Sequence, residues 1–215
     1  MARITLAALL VAAGAVATLP GAAAPPCGSW EIEYALRANL KLTDTPLGQG
    51  DGVVRIGPGR TVLRFGDRGG SPGGAVQMRR YEMRDHFTVK TRTLFWNTVV
   101  ENDTKTRATP DDKGVAASGV MNNQELVWST PVRGYRVDGK ITCTGSLCGK
   151  FGAPPAGTTE IHIGPNPVQF SSFGFSPDLK RLTMPFTFVT KTKMPKQTSY
   201  VELKGNEVRR TCLPP

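Results

Sequence analysis

His86 and His162 are the two histidines of the chain, and the side chains best suited to act as a base near neutral pH. His162 alternates with Ile161 and Ile163. On a strand its ring therefore points away from the face those two share, and an exposed or internally satisfied histidine is expected rather than a ligand or base. His86 follows Asp85, a carboxylate that could orient an imidazole, but neighbours on a strand face opposite ways, which argues against a working pair. Glu31 and Glu33 do share a face. Paired carboxylates can run glycoside hydrolysis, yet these two lie on the polar side of a regular strand, where solvation is the expected state. The chain contains no G-x-S-x-G elbow, no H-E-x-x-H, no phosphate-cradling G-x-x-x-x-G-K-[ST] and no dinucleotide-type glycine motif between a strand and a helix. No catalytic residue, cofactor or metal is expected, and an extracytoplasmic hydrolase ranks behind two non-catalytic readings.

The four cysteines allow three pairings. Cys143 with Cys148 would close a small loop around Thr144-Gly145-Ser146-Leu147, and Cys27 with Cys212 would join the two ends of the mature chain. A zinc site is disfavoured, because the spacing lacks two C-x-x-C knuckles and both histidines are far from the cysteines in sequence. Paired cysteines agree with an oxidising compartment. The N-terminus points the same way: Arg3 is followed by an apolar run from Ile4 to Leu19 and then by Gly21-Ala22-Ala23-Ala24. This pattern is that of a secretory signal over residues 1–24, cleaved near Ala22–Ala24, and the exported product would be periplasmic or extracellular. Later stretches fall short of the roughly 18 consecutive apolar residues a spanning helix needs, so no transmembrane segment is expected in the mature chain.

The formal charge of the whole chain is +10, and much of the excess is C-terminal. Lys191, Lys193, Lys196, Arg209 and Arg210 are the candidate ligand-binding residues, suited to an anionic partner such as a lipid head group or acidic polysaccharide. The competing reading is a solvated face whose lysines keep strand edges apart. Nucleic acid is not expected, because base stacking needs aromatics among the basic residues and the stretch from Lys191 to Lys196 has none.

These residues sit in a chain patterned for strands. From Trp30 to Leu42 apolar residues hold every even position, including Ile32, Tyr34 and Leu36, while Glu31, Glu33 and Arg37 take odd ones. Period two means one buried and one wet face. Further strands are expected at Val53–Ile56, Thr61–Phe65, Ala75–Met83, Phe87–Thr93, Leu94–Val100, Val115–Met121, Glu125–Trp128, Gly134–Val137, Lys140–Thr144, Glu160–Ile163, Val168–Phe175, Leu182–Thr190 and Ser199–Val208. Gly57-Pro58-Gly59 and Asp138-Gly139 read as turns, and Gly69–Gly74 and Glu101–Gly114 as mobile loops. Residues 25–215 then form a single antiparallel all-β domain, with a closed or partly closed barrel favoured over a two-sheet sandwich by the length of the first strand. Phe170, Phe173, Phe175, Phe186, Phe188 and Trp128 are expected in its core, where an apolar cavity is the functional alternative. The expectation is a non-catalytic exported β-protein binding an apolar or amphipathic ligand or an anionic envelope component. A structural or interaction module of the envelope comes second, and would be marked by an exposed patch of Phe95, Trp96 or Trp128.

Overall fold

The computed structural model describes residues 27–43, 53–92, 97–150, 153–190 and 197–215. The proposed signal segment, the turn around Pro46 and Gly48, Phe95, Trp96 and Lys191, Lys193 and Lys196 lie outside the described residues. The elements are β1 (Ser29–Thr43), β2 (Val53–Asp67), β3 (Pro72–Arg92), β4 (Asn97–Ala108), β5 (Ala117–Asn122), β6 (Glu125–Trp128), β7 (Val132–Gly145), β8 (Gly157–Val168), β9 (Phe173–Phe175), β10 (Arg181–Thr190) and β11 (Gln197–Leu213). No helix occurs among the described residues, and so none is long and apolar enough to cross a membrane.

Eight of these strands close an antiparallel barrel in the order β1, β2, β3, β5, β6, β9, β10, β11 and back to β1. The path is a meander with two detours. β4 leaves the wall after β3, and β7 and β8 leave it after β6; all three build on the far half of β3, where Tyr81–Arg92 pairs with Asn97–Ala108, β4 with β7, and β7 with β8. β3 can serve both structures because it has 21 residues, about 70 Å of chain at roughly 3.3 Å per residue. The result is a barrel with a four-stranded wing.

Alternation decides what each strand buries. In β1, Ile32, Tyr34, Leu36 and Ala38 point inward, meeting Leu63 and Phe65 of β2, Val76 and Met78 of β3, Leu126, Phe173, Phe175, Leu182 and Met184. Each large apolar side chain so buried contributes about 1.5 to 3 kcal/mol. The Tyr34 hydroxyl donates to the Leu179 carbonyl at 2.7 Å, which spares the core an unpaired polar atom. Outward positions carry charge: Glu33 is held by Arg60 at 2.8 Å and Arg209 at 3.5 Å, and Glu31 by Arg64 at 3.4 Å. A wall with ion pairs outside and hydrocarbon inside is the reverse of the apolar outer band of a membrane-spanning barrel.

Both expected disulfides are present. Cys27 and Cys212 have Cα atoms 5.4 Å apart, beside the pairing of Ser29 with Leu213 and Trp30 with Cys212 that closes the barrel. Cys143 and Cys148, 5.8 Å apart, tie the turn after β7, which buries Leu147 and lets its amide donate to Thr98 Oγ1 at 3.3 Å.

Three sequence expectations are corrected. Val53–Ile56 and Thr61–Phe65 are one strand, and Gly57-Pro58 is a bulge opposite Arg37 because the register steps from Leu36–Gly59 to Ala38–Ile56. Asp138-Gly139 is not a turn but the middle of β7, its glycine at φ +149°. Glu101–Ala108, read as loop, belongs to β4, whose inward row of Asn102, Thr104, Thr106 and Ala108 is buried. Small polar side chains line that face, so it lacks the hydrocarbon alternation that betrays a strand.

Candidate ligand-binding cavity

The described core residues fill the barrel toward the end marked by Cys27 and Cys212, and Ala38 is the last inward residue of β1 whose side chain is described. There, where the wing departs, a cavity of about 380 Å³ opens. Ala38, Ile56, Met83 and Leu203 from the barrel form its apolar side. Asn102, Thr104 and Thr106 of β4 with Tyr135 of β7 form the wing side, and Val168 at the end of β8 closes it with Gln169 and Phe170 of the connection to β9. Tyr81, Asp85 and Phe87 come from β3.

A bulge puts those β3 residues inside. Val62 pairs with Arg80 and Leu63 with Met78, leaving Arg79 as an extra residue. The inward set therefore changes from even positions, Val76 and Met78, to odd ones, Tyr81, Met83 and Asp85. Without the extra residue the carboxyl of Asp85 would face solvent and the His86 ring the cavity.

The polar groups converge. Thr106 Oγ1 donates to Asp85 Oδ2 at 3.1 Å, and Tyr135 lines the same side of the cavity. The Asn102 amide donates to the Asp85 carbonyl at 2.6 Å and to Thr104 Oγ1 at 3.0 Å. Burial pushes the Asp85 carboxyl above its ordinary range, opposed by the Thr106 hydrogen bond. Burial likewise raises the Tyr81 and Tyr135 hydroxyls, with the nearby Asp85 charge adding to it, so both phenols stay protonated at physiological pH. Among the described residues Asp85 has no ion-pair partner. The rings of Tyr81 and Phe170 lie 5.2 Å apart at 74°, and those of Tyr135 and Phe170 6.0 Å apart at 83°.

The histidines are elsewhere. His86 and His162 stand on the outer face of the wing, 3.7 Å from Asp103 and 3.4 Å from Asp138. Those two carboxylates are also engaged by Arg84 at 3.3 Å and Arg107 at 3.2 Å, so each imidazole joins an exposed ladder of alternating charge rather than a cleft. Glu31 and Glu33 are held by arginines, as described. Arg209 is outside the barrel wall on Glu33, and Arg210 bonds Glu207 and the Asp178 carbonyl, each at 2.7 Å. Neither arginine lines the cavity. Trp128 is buried, and the described large hydrophobics left exposed are Val120 and Val127, cross-strand partners on β5 and β6, with Ile163 and Val208. No group of three His, Cys, Asp or Glu side chains suited to a metal ion occurs among the described residues.

Sequence reasoning placed Phe170 in the core and turned Asp85 away from His86, but it singled out neither Tyr81 nor Tyr135. The available signal was the Arg79-Arg80 doublet, two polar residues in succession that break an alternating run and mark a change of phase. No protein-family model, curated protein or solved structure matches the chain.

Proposed function

We propose that this chain is a non-catalytic exported protein that binds a small apolar or amphipathic ligand in the cavity between barrel and wing. The supporting observation is the cavity itself: about 380 Å³, walled mostly by hydrocarbon and aromatic rings, with Asp85, Thr106 and Tyr135 converging at one place. Such volume and such sparse, clustered polarity are the ordinary properties of a small-molecule site. Export is supported by the two disulfides, which suit an oxidising compartment, and by the signal-like N-terminal segment. An anionic ligand on Arg209 and Arg210 would have to displace carboxylates already bound there.

Titration with an uncharged environment-sensitive dye such as Nile red tests the proposal. The oxidised protein should bind it saturably, one molecule per chain. Val168→Trp, which places an indole at the half-buried edge of the cavity, should abolish binding without changing the thermal transition. Absence of saturable binding, or binding indifferent to Val168→Trp, would sink the reading.

A further inference from the structure

The cavity holds one carboxyl that no described neighbour neutralises. Among the described residues lining it there is no Lys, Arg or His, and the side-chain partner of Asp85 is the uncharged Thr106 hydroxyl. The surrounding rings of Tyr81, Tyr135 and Phe170 pack edge to face, so no ring of this trio lies flat on another, and Phe87 adds a fourth to the lining. An anionic ligand would meet like charge in an apolar space, the worst case for both. A neutral alcohol could donate a hydrogen bond but would leave the carboxylate charge uncompensated. An ammonium group meets both demands, because it pairs with the carboxylate and is attracted by the negative faces of aromatic rings.

We propose that the cavity binds an organic ammonium group, with Asp85 as counter-charge and Tyr81, Tyr135 and Phe170 as cation-binding walls. This rests on the cavity being a ligand site. The formal charge of +10 opposes a cation only at long range, since salt screens exposed charges beyond about 8 Å at physiological ionic strength, and inside the cavity the carboxyl decides.

Calorimetric titration of the oxidised protein with octylammonium, octanol and octanoate, at about pH 7 and roughly 0.15 M salt, compares three charges on one chain. Octylammonium should bind about tenfold or more tighter than octanol, with octanoate weakest. Asp85→Asn should remove that preference, leaving octylammonium no more than about twofold tighter than octanol. Phe170→Leu keeps apolar bulk and removes a ring, so it should weaken octylammonium several-fold more than octanol; it stands as the second test should Asp85→Asn not fold. Octanoate binding as tightly as octylammonium, or octylammonium binding unchanged in both variants, overturns the proposal. If octanol binds without any preference for the ammonium, only the ammonium inference falls; if none of the three binds, the ligand-site reading falls with it. Phosphatidylethanolamine vesicles distinguish the source: co-sedimentation that requires Asp85 supports a lipid head group, and octylammonium binding without it supports a free amine.

Discussion

Asp85 is a residue whose surroundings work against its own charge. Its carboxyl is raised above the ordinary range by burial, so as pH climbs the unfolded chain releases this proton before the folded chain does. Stability from this group is therefore fully present below the unfolded value near 3.9 and declines as pH rises through the window up to the folded value. Asp85→Asn has no proton to lose there. The variant should gain stability relative to wild type at pH 7, and the gain should vanish near pH 3. Urea denaturation at the two pH values measures it, and a variant less stable than wild type at pH 7 but not at pH 3 would contradict the argument. A group retained at a loss of stability is what a binding role predicts, because the ligand supplies the missing compensation.

At the scale of elements, the pairing of β7 with β4 turns on a glycine in mid-strand. Gly139 sits mid-strand at φ +149°, and a Cβ built on it would press on the Asp103 carbonyl and the Thr104 Cα, both backbone. Gly139→Ala should destabilise the protein by about 2 to 4 kcal/mol in urea denaturation, from strain and contact together, and weaken ligand binding by shifting Thr104 and Thr106. A change below about 0.5 kcal/mol would show that the strands can part freely. The same glycine shows how much of the fold was legible. Strands buried by hydrocarbon alternation, such as β1 and β6, were placed to within a residue at each end, and Glu125–Trp128 matched its observed bounds. Asp138-Gly139 was misread because Asp-Gly usually marks a hairpin turn, whereas here the glycine serves close backbone approach. β4 was misread because Asn102, Thr104 and Thr106 bury a polar row. The cavity was hidden for a related reason: it needs Asp85, Tyr135 and Phe170, 50 and 35 residues apart in succession, to be brought together by two detours of the chain that no local pattern announces.

For the whole molecule, closure is the organising event. The barrel exists because β1 finds β11 across nearly the full chain, and Cys27–Cys212 links residues separated by 185 positions. Cys143–Cys148 spans only 5. Chain-entropy scaling assigns about 5 kcal/mol to the long closure and about 2 kcal/mol to the short one. Paired Cys→Ser replacement at 27 and 212 should therefore lower unfolding free energy more than replacement at 143 and 148, and equal losses in denaturant titration would show that the long link does not work through chain entropy. The location of that link also fixes how the protein meets a pull. Cys27 and Cys212 flank the β1–β11 pairing, so tension applied at those two residues runs through one covalent bond and bypasses the sheet between them. Pulled at those two residues, the barrel would stay slack and folded under load until a reductant cut the bond, at which point the β1–β11 seam would become the first part to bear force.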